Sequence, residues 1–146
     1  MNVNRTIVVA SLGSMLLTAP VRAHHAFSAE FDQDKPVVLE GSVTKADWTN
    51  PHAWIYIDVK GPDGKVVNWM VEGGSPNSLF RRGVTRDSLQ IGTEIIVDGY
   101  QSRDYTQPRA NGRNITFVDG RKLFLGSSGT GAPRDGADPA EKKVVP

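Results

Sequence analysis

Residues 53–83 decide the fold: Ala53-Trp54-Ile55-Tyr56-Ile57-Asp58-Val59-Lys60, then Gly61-Pro62-Asp63-Gly64, then a second run ending Val67-Asn68-Trp69-Met70-Val71-Glu72, then Gly73-Gly74-Ser75-Pro76-Asn77-Ser78-Leu79-Phe80-Arg81-Arg82-Gly83. The first run has a period of two. Ile55, Ile57 and Val59 fall on one face of a strand, and His52, Trp54, Tyr56 and Asp58 fall on the other. The Gly-Pro-Asp-Gly segment is a hairpin turn composition. A third strand over about 66–72 sets Val67, Trp69 and Val71 against Asn68, Met70 and Glu72. There the period breaks. Ser75 reads as an N-cap, Pro76 as the first helical residue and Gly83 as the residue just past the end, which predicts a helix of about two turns. Arg81 and Arg82 lie in its last turn, where positive charge complements the helix dipole.

The same period extends on either side. Upstream, Leu39, Gly41 and Val43 alternate with Glu40, Ser42 and Thr44, predicting a strand over about 37–46. Downstream, strands are expected at 94–100 (Ile95, Val97) and 113–118 (Ile115, Phe117), with an Asp119-Gly120 turn before 122–125. The segment between them, 101–112, is polar and charged and reads as a mobile loop. Three strands, a short helix and two or three further strands is the order of a mainly β, five-stranded OB-like Greek-key barrel, with the helix between strands 3 and 4. Another small β-barrel or a β-sandwich is the alternative. The sequence has no internal repeat.

The two ends differ from this unit. Residues 1–23 read as a secretory signal peptide: Arg5 in a short polar start, an apolar run from Thr6 to Ala19, and Val21 and Ala23 as the small residues before a cut. Cleavage after Ala23 places the chain in the periplasm or outside the cell, with His24 as its new N-terminus. The leader holds two of the 17 basic residues and none of the 16 acidic ones, so the mature formal charge is −1. That balance argues against nucleic acid as a partner. The apolar run is too short for a membrane span of ~20 residues. Residues 24–35 form a polar lead with Phe27 and Phe31 as candidate anchors, residues 36–126 the β domain, and residues 127–146 a tail rich in Gly, Ser, Ala, Pro and Asp that is expected to be disordered. The chain has no cysteine, which excludes disulfides, thiolate metal sites and cysteine nucleophiles.

Several segments together carry a family likeness: Ala23-His24-His25-Ala26-Phe27, Trp48-Thr49-Asn50-Pro51-His52-Ala53-Trp54-Ile55-Tyr56, Gly83-Val84-Thr85-Arg86-Asp87-Ser88-Leu89, Val97-Asp98-Gly99-Tyr100 and Asp119-Gly120-Arg121-Lys122-Leu123-Phe124. Over about 24–127 the chain resembles an uncharacterised family of short exported proteobacterial proteins, a domain of unknown function. The resemblance implies export and a small β domain, and it implies no activity.

Three constellations could carry chemistry. The only histidines are His24, His25 and His52. A free α-amine and imidazole at His24 can chelate one metal, with His52 as a third nitrogen, and an N₃ set with open positions favours Cu(II). This arrangement resembles the histidine brace of copper-dependent polysaccharide monooxygenases and of some periplasmic copper carriers. His25 offers an alternative chelate through amine, amide and ring. The second constellation is aromatic: the flat rings of Trp48, Trp54 and Tyr56 could stack on a sugar, a base or a hydrophobic small molecule. The third is a weak anion-binding candidate, Arg81, Arg82 and Arg86, against which stands their pairing with Asp87 or Glu94.

Nucleophile elbows, phosphate loops and two-histidine zinc helices are missing. The sequence therefore predicts an exported, non-enzymatic module that binds copper, a small ligand or an envelope protein. A copper-dependent oxidoreductase using the same brace is one alternative, and a structural envelope protein without metal is another.

Overall fold

A computed structural model describes residues 27–141. The expected signal peptide, His24 and His25 lie outside the described residues. The elements in chain order are α1 (Phe27–Glu30), β1 (Phe31–Asp47), β2 (Trp54–Lys60), β3 (Val66–Glu72), α2 (Pro76–Arg81), a 3₁₀ turn (Asp87–Leu89), β4 (Glu94–Ser102), β5 (Arg109–Phe117) and β6 (Lys122–Phe124). The chain is mainly β, as its period of two predicts, and its strands form one sheet.

The sheet order is β3-β2-β1-β4-β5-β6, and a further parallel pairing joins β3 to β5. That pairing, Met70–Glu72 against Arg109–Asn111, bends five strands into a ring. The ring holds five strands, the number expected, and the sheet carries a sixth: the Asp119-Gly120 turn folds Lys122–Phe124 back as a short strand on β5, outside the ring.

β1 serves two partners. Gly41 pairs with Val59 of β2 and also with Ile95 of β4. A Cβ there would stand 2.1 Å from the Asp58 carbonyl oxygen. Gly99 plays the same part at the irregularity in the β4–β5 ladder, where a Cβ would stand 2.0 Å from the Asn111 carbonyl. These two glycines let neighbouring backbones approach closely enough for the sheet to coil.

The core fills the ring as the alternation predicts. Leu39, Val43, Ile55, Ile57, Val71, Ile95, Val97, Ile115 and Phe117 are all buried in one cluster. Val67 is an exception, lying exposed on the first half of β3, beyond the stretch that β5 covers. Leu79 from α2 and Val84 and Leu89 beyond it join the same cluster.

The helix lies where the Ser-Pro…Gly signals put it, with Pro76 at its start and Gly83 at φ 89° after it. Ser75 is its N-cap by position but makes no capping hydrogen bond. Its hydroxyl donates instead to Ser78 Oγ at 3.0 Å.

The expected mobile loop at 101–112 is also corrected. Gln101 and Ser102 belong to β4, residues 109–112 belong to β5, and Ala110, Asn111 and Gly112 are buried. Composition misleads here because ring closure needs small residues for close approach: Gly112 sits against Leu125 and Val71.

The lead gives up its second half to α1 and to the start of β1, where Phe27 and Phe31 are both buried, with ring centroids 5.9 Å apart. Residues 127–141 contain no helix or strand. They are nonetheless tied to the sheet through Arg82, Arg113 and His52. Among the described residues no helix is long and apolar enough to cross a membrane.

Leu79→Ala should cost about 3 kcal/mol in urea denaturation, because the side chain is completely buried. Gly41→Val should cost about 3 kcal/mol or abolish folding, since the clash is with backbone that cannot rotate away. A midpoint within experimental error of the parent for either variant would contradict this packing.

Candidate functional site

His52 is positioned by backbone. Ala53 donates its N–H to the Gly74 carbonyl at 3.0 Å, and Gly73 donates to the Ala53 carbonyl at 2.8 Å, which extends the β2–β3 ladder by one step. The imidazole beside this step is nearly buried. Its Nδ1 lies 3.2 Å from the Gly73 carbonyl oxygen, 3.2 Å from Ser127 Oγ and 3.5 Å from Glu72 Oε1. A carbonyl can only accept, so Nδ1 carries a proton and donates it there.

Glu72 closes β3 and stands directly across from Trp54. Burial pushes its carboxyl above the usual range, while His52 and Arg109 pull it back. Arg109 arrives through the parallel β3–β5 pairing. Its Nη2 donates to Glu30 Oε2 at 2.5 Å and lies 3.4 Å from Glu72 Oε2. The guanidinium lies 5.2 Å from the Phe31 ring centre and 5.0 Å from that of Trp54. Its Nε is buried without a hydrogen-bond acceptor among the described residues.

The aromatic set divides. Trp54 and Tyr56 share the outward face of β2, as the alternation predicts. Trp54 is half-covered by Arg109, and Tyr56 faces Lys45, whose Nζ lies 5.0 Å from its ring centre. Trp48 takes other partners: its ring lies 5.0 Å from that of Phe80 on α2, and Arg86 lies over it at 5.5 Å. The three rings therefore do not form one stacking platform.

The arginines also separate. Arg82 turns inward, donating to the Gly126 carbonyl at 2.7 Å and to Ser128 Oγ at 2.9 Å, whereas Arg81 and Arg86 are exposed. Among the described residues none of the three pairs with Asp87 or Glu94, and the structure assembles no common anion site from them.

Sequence reasoning missed Glu72, Arg109 and Glu30. The one available signal was Glu72 at the end of a strand whose partner carries Trp54. Arg109 left no signal, because nothing local marks a parallel pairing between β3 and β5. Among the described residues no group of three His, Asp or Glu side chains is arranged to hold a metal.

Arg109→Leu should cost about 3 kcal/mol, because it strands the Glu72 carboxylate in a closed site. Adding Glu72→Gln should recover much of that loss. Urea denaturation of the four proteins in the cycle checks this, and additive losses would contradict the coupling.

The family comparison bears on the chain as a whole. A family model described as a family of unknown function (DUF6152) matches residues 13–110, which include His24, His25, His52, Glu72 and Arg109. No curated protein and no solved structure matches the chain. The family model covers most of the sequence, and the chain therefore belongs to this family of unknown function.

Proposed function

We propose that the chain is an exported, non-enzymatic binding module on an OB-type barrel, and that it holds one Cu(II) ion. The ligands are the α-amine and imidazole of His24, freed by cleavage after Ala23, together with the imidazole of His52. The OB reading is supported by the strand order, in which a β1–β2–β3 meander closes on β5 in parallel while β4 lies beside β1.

The observation that carries the copper reading is the placement of His52. Its Nδ1 lies 3.2 Å from the Gly73 carbonyl oxygen and 3.5 Å from Glu72 Oε1, and carbonyl and carboxylate contacts of this kind orient metal-binding imidazoles. Among the described residues no three His, Asp or Glu side chains form a ligand set, and this reading takes the remaining nitrogens from the N-terminus.

Reach favours this. Phe27 donates to the Thr130 carbonyl at 3.1 Å, Thr130 Oγ1 donates to the Ser127 carbonyl at 3.3 Å, and Ser127 Oγ touches His52. Glu30, Arg109 and Glu72 make a second path to the same ring. Residues 24–26 add up to roughly 10 Å of reach from that anchor.

Protein recovered after export should begin at His24 by intact mass and N-terminal sequencing. Calorimetry should show one Cu(II) bound with sub-micromolar affinity, at least about ten-fold weaker in His52→Ala, with a circular dichroism melt to confirm folding. A different terminus, no binding, or an affinity indifferent to His52 would overturn the reading.

A further inference from the structure

A second polar cluster lies on β5 and β6, away from His52. Arg113 is the least exposed charged residue described, at 4%. Its Nε donates to Asp135 Oδ1 at 2.9 Å, and its Nη2 pairs with Asp135 at 2.7 Å and with Glu141. The adjacent Asn114 donates to Asp98 at 2.7 Å and to Asp135 at 3.2 Å. The guanidiniums of Arg113 and Arg82 both lie over the Phe124 ring, 4.9 and 4.7 Å from its centre.

Residues 127–141 cover this face. Their only buried side chain is Asp138, so no apolar anchor fastens the segment, and the core cluster is complete at Leu125. Two carboxylates six residues apart fasten it: Asp135 and Glu141 take Arg113, while Asp138 braces the segment internally, accepting from Ser128 Oγ at 2.8 Å and from the Ala140 N–H at 2.8 Å. A cavity remains between the segment and β5, with Arg113, Arg134, Asp138 and Glu141 among its lining.

We propose that the Arg113, Asn114, Phe124 and Arg82 face is a binding site for an acidic, extended protein segment, and that residues 127–141 fill it in cis as a displaceable strap. Guanidinium forks on an aromatic ring match carboxylates in geometry as well as charge. A strap held to the face by carboxylates and without apolar burial is held by contacts that rival carboxylates can reproduce and take over. Tethering gives the strap a high effective concentration, so a competitor must present two carboxylates at matching spacing. The partner this selects is an unstructured acidic segment with carboxylates about six residues apart, as Asp135 and Glu141 are.

The test uses the full chain and a labelled synthetic peptide of residues 127–141, read by fluorescence anisotropy. Asp135→Asn with Glu141→Gln should release the strap. This double variant should bind the peptide at least about ten-fold more tightly than the parent does, and added salt should weaken the binding. Further substitution of Arg113→Leu should abolish it. A peptide carrying Asn and Gln at the same two positions should not bind, and this arm needs no variant of Arg113 to fold. Equal affinity for parent and released protein, binding that survives loss of Arg113, or binding of the neutral peptide would each overturn the proposal.

Discussion

The parallel pairing of Met70–Glu72 with Arg109–Asn111 is the constraint on which the rest of the structure depends. Without it the strands would form an open antiparallel sheet with one long edge. With it they close on themselves and bury one continuous core. The seam is short, and its first bond runs from the Met70 N–H to the Pro108 carbonyl at 2.8 Å. It also decides the chemistry outside the ring. Arg109 is delivered beside Glu72 and Trp54, Glu72 is enclosed, and the enclosed Glu72 with Gly73 fixes how His52 stands.

Much of the ring was legible because its cause is local. Ile55 and Ile57 alternate with Trp54 and Tyr56 on a pleated strand, and burying one face is what such a strand is for. Pro76 and Gly83 bracket the helix because their backbone preferences act without tertiary help. The seam was not legible. Residues 109–112 look like loop by composition, and their burial follows from a partner some forty residues earlier in the chain. A period argument sees which face a residue takes but not which strand will lie beside it. For the same reason His52 could be named as a candidate while Arg109 and Glu30, which complete its surroundings, could not.

The aromatic residues show the same divide. Trp54 and Tyr56 were placed correctly on the outward face of β2, yet that face is not an open platform. Arg109 lies between Trp54 and Phe31, and Phe31 belongs to the segment that enters the sheet after α1. Outward on a ring this small does not mean solvent-facing. The chain supplies a second layer from α1, from the Arg109 side chain and from residues 127–141, and apart from the buried rings of Phe27 and Phe31 this layer rests on ion pairs and hydrogen bonds where the inner one rests on apolar burial. Buried ion pairs gain little net free energy over apolar contacts of the same shape, so the outer layer is held more loosely than the core beneath it.

The start of the described chain and the start of the 127–141 segment meet in that outer layer, close to His52. Phe27 donates to Thr130, and Ser127, three residues before Thr130, touches the imidazole. From Ser127 onward the same segment runs out to Arg113 through Asp135 and Glu141. One unlayered stretch of polypeptide therefore contacts both polar clusters, at His52 with its first residue and at Arg113 with its last. Arg82 donates to Gly126 and Ser128 just beyond the imidazole contact, which fastens the stretch at the point where it leaves the core. Lifting the far end off Arg113 would leave that fastening in place.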